Sequence, residues 1–177
     1  MGSEFAFFLH QGTCDGENEA FYDSWITPTE MDLIPEKLKT MTLKHFHASD
    51  IHEVFGATER QLYEELKDDR STKNIVEEEP VFFVDRSFDV YPNYETPSPF
   101  YRLGNLKTDG AERVLRAYCG HKSVAQRVWM TVPAAELAKK HGNPESERLF
   151  GKRDYLCLLH NRFCRETACK KSIGRTR

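Results

Sequence analysis

Residues 81–91 have the sequence VFFVDRSFDVY, and this segment indicates the fold class. Residues 81–84 form an uninterrupted β-branched and aromatic run, which is typical of a buried strand. Residues 87–91 alternate polar and apolar side chains, as a half-buried strand does. Only Asp85 and Arg86 separate the two runs, so we expect a tight antiparallel hairpin.

Two more segments are predicted strands, and two threonines are predicted helix starts. Residues 5–10 form an apolar run, and residues 100–106 return as a third strand after a proline-punctuated loop. Thr27 and Thr58 each precede a Glu or Gln by three residues, which is the spacing of a capping box. We therefore expect helices to begin at both threonines, and the second helix to run to Leu66.

The apolar spacing becomes helical in the last third of the chain. We expect successive helices to start at Asp109, Ser123, Pro133, Asn143 and Asp154. In the first of them, Val114, Leu115 and Tyr118 are expected to share one apolar side. Early strands and late helices predict an α+β fold: a small, mostly antiparallel sheet from the N-terminal and central strands, packed with helices, with a helical and basic C-terminal third.

A helix-turn-helix is one interpretation of residues 123–150. Ala138 and Gly142 have the spacing that the tight turn of this motif needs. Asn143 and Arg148, however, stand where the motif requires apolar residues to seat a recognition helix. A plain helical hairpin is therefore the favoured interpretation.

A single globular domain is expected over residues 6–168. The sequence before it, residues 1–5, resembles a cloning remnant, and residues 169–177 are expected to form a flexible basic tail. The chain is 39% hydrophobic and 12% aromatic, which is enough for one packed core and excludes collagen-like and fully disordered classes. No apolar run approaches the roughly 18 residues of a membrane span, so no membrane partner is expected. The five cysteines form an irregular, odd set, which favours the nucleus or cytoplasm over a disulfide-rich secreted class.

The formal net charge of −3 conceals an uneven distribution. Residues 1–110 contain 10 Lys and Arg against 22 Asp and Glu, whereas residues 111–177 contain 15 against 6. The domain is thus acidic over 6–110 and basic over 111–168. This asymmetry indicates either a polyanionic partner for the basic part or a match between the two parts of the chain.

The leading hypothesis is a non-enzymatic binding domain whose basic helical region contacts nucleic acid or an acidic protein. The candidate contacts are the cations of that region and of the tail: Arg113, Arg116, Lys122, Arg127, Lys139, Lys140, Lys152, Arg153, Arg162, Arg165, Lys170, Lys171, Arg175 and Arg177. About six to ten phosphate contacts would give strong, salt-dependent binding. The alternative is a protein–protein interaction module whose two parts neutralise each other and whose partner binds an apolar groove near Phe100, Tyr101 and Trp129.

A zinc site is a further hypothesis, although no cofactor is the expectation. The candidate ligands are Cys119, His121, Cys157, His160, Cys164 and Cys169. A continuous helix would separate Cys157 from Cys164 by about 10.5 Å along its axis, so one ion would not bind both. Zinc would then need Cys157 and His160 together with the two ligands near residue 120. Partly buried structural cysteines are the competing interpretation.

A metal-dependent hydrolase is another alternative, with His45, His47, Asp50 and His52 as its candidate metal ligands. Side chains two residues apart on a strand point the same way, as the ligands of such a site must. One residue too many precedes Asp50 and His52 for the H-x-H-x-D-H spacing, and the competing interpretation is that Ser49 or Asp50 caps a short helix. The sequence contains neither a nucleophile elbow nor a phosphate-binding glycine loop.

Overall fold

The computed structural model of the chain describes residues 22–23, 25–72, 82–92 and 100–173, with side chains through residue 167. It combines helices with two small antiparallel sheets. The predicted α+β class is confirmed, and the C-terminal region is helical as expected.

The elements follow one another in a mixed order along the chain. The helices are α1 (Pro28–Asp32), α2 (Glu36–Phe46), α3 (Ile51–Phe55), α4 (Glu59–Leu66), α5 (Ala111–Cys119), α6 (Val124–Thr131), α7 (Ala134–His141) and α8 (Lys152–Ile173). The strands are β1 (Ala57–Thr58), β2 (Phe82–Val84), β3 (Asp89–Pro92), β4 (Gly104–Asn105) and β5 (Leu149–Phe150). The strand predicted over residues 5–10 lies outside the described residues.

Both predicted capping boxes are present. The backbone N–H of Glu30 donates to the Thr27 hydroxyl oxygen, and the Glu30 carboxylate accepts from the Thr27 N–H at 2.8 Å. Thr58 and Gln61 repeat this exchange at the start of α4. Each box satisfies N–H groups that have no partner inside the helix, so α1 and α4 begin where the sequence predicts.

The predicted hairpin is confirmed as well. β2 and β3 pair in antiparallel fashion, with Phe83 opposite Tyr91. The Asp85 carboxylate accepts a hydrogen bond from the Ser87 N–H at 2.8 Å, which holds the turn between them. The third strand is shorter than the predicted segment 100–106, because only β4 pairs with β3.

Three predicted helix starts are wrong, at Asp109, at Asn143 and at Asp154. Asp109 does not cap α5, since its carboxylate accepts from the backbone N–H of Asn105 at 2.8 Å and the helix begins after Gly110 instead. No helix begins at Asn143, and the chain there continues into β5, which places Phe150 opposite Ala57 of β1. The helix-turn-helix interpretation is therefore excluded.

The last helix, α8, begins at Lys152 rather than at Asp154 and continues to Ile173. It enters the segment predicted as a tail, of which residues 174–177 lie outside the described part of the chain. Although α8 spans 22 residues, no helix among those that the structure describes is long and apolar enough to cross a membrane.

The main core lies where α4, α6 and α7 pack against α8. Its largest fully buried side chains include Trp129 of α6, Tyr101 before β4, Phe150 of β5 and Tyr155 of α8. The Trp129 and Tyr101 rings meet edge to face at 5.9 Å. Tyr101 and Trp129, near which the sequence predicts an apolar groove, both belong to this core, and Phe100 packs against it.

Candidate binding surface

The basic helices α7 and α8 meet the acid-rich end of α4. Lys139 Nζ lies 3.6 Å from the Asp68 carboxylate. Lys152 of α8 donates to the Glu65 carboxylate. Both pairs join the basic part of the chain to its acidic part, so the charge excess of α7 and α8 is reduced within the protein itself. These pairs are more than half exposed and contribute little to stability, but they lower the local positive potential.

Two more predicted contact residues, Lys140 and Arg162, are engaged inside the protein. Lys140 pairs with Glu166 at 2.7 Å, a bond between neighbouring turns of α7 and α8. The Arg162 guanidinium donates to the backbone carbonyl of His141 at 2.8 Å and lies 5.0 Å from the Tyr22 ring centroid. Arg148, although outside the predicted set, pairs with Asp23 and donates to the Trp25 carbonyl. Arg153 and Arg165 are half-buried on α8, while the side chains of Lys170, Lys171, Arg175 and Arg177 lie outside the described part.

The cations of α5 make only weak local pairs. Arg113 lies 3.6 Å from Asp109, and its side chain is 76% exposed. Arg116 lies 3.1 Å from Glu112, with 71% of its side chain exposed. Exposed pairs such as these, and such as those of Lys139 and Lys152, gain little free energy. The two guanidinium groups of α5 are the most exposed of the paired cations in the described basic region, so they are the most accessible to a partner.

Lys122 and Arg127 make no ion pair within the described residues. Lys122 follows α5 and Arg127 lies on the outer side of α6, and both are exposed. Among the described residues of the basic region, the most accessible cations therefore lie on α5, on α6 and on the turn between them.

Exposed apolar side chains lie on the same two helices. Leu115 of α5 is 49% exposed, and Val124 and Met130 of α6 are 36% and 43% exposed. On α6, Val124, Arg127 and Met130 are three residues apart, so they share one side of the helix. We use the name α5–α6 surface for the exposed cations and apolar side chains of these two helices and the turn between them: Arg113, Leu115, Arg116, Lys122, Val124, Arg127 and Met130.

Backbone and side-chain hydrogen bonds hold the α5–α6 surface in place. Ser123 and Gln126 form a capping box at the start of α6. The Gln126 side-chain amide also donates to the Tyr118 carbonyl of α5 at 3.2 Å, and the Ala125 N–H donates to the Phe100 carbonyl at 3.1 Å. The inner side of α6 buries Trp129. These bonds connect the start of α6 to the end of α5 and to the segment before β4.

The candidate zinc ligands do not form a site in the described part of the chain. Cys119 is exposed on α5, whereas Cys157 and Cys164 are buried on α8. His160 is buried, with Nδ1 3.2 Å from the Tyr101 hydroxyl. No group of three His, Cys, Asp or Glu side chains among the described residues is placed to hold a metal ion, and the Cys169 side chain is outside them.

The histidine cluster of the hydrolase hypothesis is dispersed around two helix ends. His45 lies in the last turn of α2, and His47 ends that helix in the left-handed conformation, with φ of 54°. The Asp50 carboxylate caps α3 by accepting from the backbone N–H of His52 at 2.7 Å. Asp50 thus has the capping role that was the competing interpretation.

Two features were missed by sequence reasoning. Leu115 was expected on the apolar side of α5 with Val114, but only Val114 is buried. Glu59 carries a carboxylate yet is completely buried at the first turn of α4. Its position after a capping Thr identifies the helix start, but nothing in the local sequence indicates its burial.

No family model, curated protein or solved structure matches this chain. The interpretation of its function therefore depends on the chemistry of its own surface.

Proposed function

We propose that this protein is a protein-interaction domain whose α5–α6 surface binds an acidic partner segment that also carries apolar side chains. The observation behind this proposal is the coincidence on two consecutive helices of available cations with exposed Leu115, Val124 and Met130. Cations attract acidic segments and speed their association, while exposed apolar side chains supply the area that a specific contact buries.

The same surface favours a protein over nucleic acid as the partner. About six to ten phosphate contacts give strong, salt-dependent binding to a duplex. Lys139, Lys140 and Lys152 are instead engaged with Asp and Glu side chains. The most accessible cations of the described helices are interleaved with exposed apolar side chains, which phosphates do not contact. This arrangement suits an acidic peptide in which Glu or Asp alternates with Leu-like residues.

The test is a titration of isotope-labelled full-length protein, followed by amide NMR, with three probes. The first is a synthetic amphipathic peptide of Glu and Leu, the second a polyglutamate peptide of equal charge, and the third a duplex oligonucleotide. We expect the Glu–Leu peptide to shift amide signals from residues 111–131 and to bind more tightly than the other two probes. Shifts located elsewhere, or equal or tighter binding of the duplex, would overturn the proposal.

A further inference from the structure

We propose that the neutral His160 ring holds α6, and with it the α6 half of the α5–α6 surface, against α8, and that protonation of this ring weakens the contact. Regulation of partner binding by pH rests on the proposed function. The pH-dependent contact between α6 and α8 does not rest on it, and this contact is tested without a partner.

The geometry of His160 joins three parts of the fold. Its ring lies on α8, 1% exposed, and meets the Trp129 ring of α6 edge to face at 4.6 Å. Its Nδ1 lies 3.2 Å from the hydroxyl of Tyr101, which precedes β4. The chain next to Tyr101 is bonded in turn to α6, where Ala125 donates to the Phe100 carbonyl. Contacts of the His160 ring therefore hold α6 and the β4 approach on α8.

The surroundings of the ring accept a neutral imidazole but not a charged one. The titratable groups that face it are the Tyr101 hydroxyl and, on its own helix, the Cys164 thiol 4.0 Å from Nδ1. The buried Nε2 atom of His160 has no hydrogen-bond partner among the described residues. An imidazolium would be buried with an N–H that lacks an acceptor, and no carboxylate of the described residues lies beside it.

Protonation of the His160 ring is therefore linked to an opened state, in which α6 has separated from α8. Burial holds the pKa of His160 well below its ordinary value, whereas in an opened or unfolded chain the ring titrates near pH 6.5. The opened state then binds the extra proton, so the closed state loses stability as the pH falls below that value. The population of the opened state should rise about tenfold for each pH unit below 6.5.

The experiment measures the rate at which the Cys164 thiol is modified by an aromatic disulfide, relative to exposed Cys119 in the same molecule. Cys14 and Cys169 are replaced by Ser, and the relative rate is followed from pH 7.5 to 5. The expected result is a rise of about 30-fold in the His160-containing protein. His160→Gln should abolish most of this dependence, while the control His141→Gln should keep it.

A second measurement covers the case in which His160→Gln does not fold. NMR of the imidazole protons in the unsubstituted protein should show that His160 does not titrate between pH 7.5 and 5. Titration of this ring near pH 6.5 in the folded protein would overturn the proposal. A relative Cys164 rate that is independent of pH would overturn it as well.

Discussion

The buried Glu59 carboxylate accepts a hydrogen bond from the backbone N–H of Asn143, at 3.0 Å, and so joins the first turn of α4 to the loop after α7. Its other oxygen accepts from the Tyr22 hydroxyl, which in turn lies 3.0 Å from the Ser146 hydroxyl. Burial and the hydrogen bond to Glu59 raise the pKa of Tyr22, so the phenol stays the donor. One carboxylate thereby connects three segments that are distant in sequence.

Loss of the Glu59 carboxylate should destabilise the fold in a graded way. Glu59→Gln keeps one acceptor oxygen and should cost about 1 kcal/mol of unfolding free energy. Glu59→Ala leaves the Asn143 N–H and the Tyr22 hydroxyl without an acceptor and should cost about 3 kcal/mol. Urea denaturation measures both, with Glu64→Gln on the exposed side of α4 as the control. Equal stabilities of the Gln and Ala variants would contradict this role.

Two glycines with similar backbone angles should respond very differently to alanine. Gly56 has φ of +84°, and a Cβ there would lie 1.9 Å from the Phe150 carbonyl oxygen of β5. Gly110 has φ of +76°, but a Cβ there would meet nothing within 4 Å. Gly110 has ψ of 157°, outside the left-handed helical region, so backbone strain alone should cost about 2 kcal/mol in Gly110→Ala. Gly56→Ala adds the steric clash and should cost more than about 4 kcal/mol, and thermal unfolding measures both losses. Similar losses of unfolding free energy in the two variants would contradict the close approach of Gly56 to the Phe150 carbonyl of β5.

The described cysteines should differ widely in reactivity. In a protein with Cys14→Ser and Cys169→Ser, exposed Cys119 should be the described cysteine that reacts fastest with a maleimide. Cys157 and Cys164 should react at least about 100-fold more slowly, because they become accessible only when the core opens. Burial also raises the pKa of the Cys164 thiol to about 12, so little thiolate forms. Peptide mass spectrometry of the labelled protein measures the three rates, and fast modification of Cys157 would contradict the packing of α8.

Removal of the acidic partners Glu65, on α4, and Asp68, which follows α4, should increase the affinity of the protein for polyanions. Glu65→Gln with Asp68→Asn frees Lys152 and Lys139, so we expect tighter binding to a duplex oligonucleotide. The logarithm of affinity against the logarithm of salt should steepen by about two units, one for each released cation. The control Asp32→Asn with Glu36→Gln makes the same change in net charge at exposed sites. Identical behaviour of the two double variants would show that overall charge, rather than these ion pairs, controls the binding.

Local signals in the sequence predict much of the fold. The capping boxes at Thr27 and Thr58 and the hairpin around Asp85 depend on hydrogen bonds within a few residues, so the sequence alone identifies them. The helix predicted at Asn143 fails for a tertiary reason. The N–H groups of Glu59 and Arg60 donate to carbonyls of the 146–148 segment, and these long-range bonds hold the chain there in an extended form.

The candidate surface was only partly predictable. The excess of cations after residue 110 is visible in the sequence. The ion pairs of Lys139 with Asp68 and of Lys152 with Glu65 depend on the tertiary fold, so the number of charges does not predict them. Leu115 was expected inside because its spacing matches Val114 and the next helical turn. Which side of α5 is covered depends on the sheet, and Val114 is the residue that packs near Gly104 of β4.

Binding of the Glu–Leu peptide to two charge-reversed variants tests the central claim most directly. Arg127→Glu changes a cation that makes no ion pair in the described part of the chain, whereas Lys139→Glu changes one already paired with Asp68. Isothermal titration calorimetry should show affinity about tenfold weaker for Arg127→Glu. Lys139→Glu should bind within about twofold of the unsubstituted protein. Equal weakening by both substitutions, or no effect of Arg127→Glu, would contradict the assignment of binding to the α5–α6 surface.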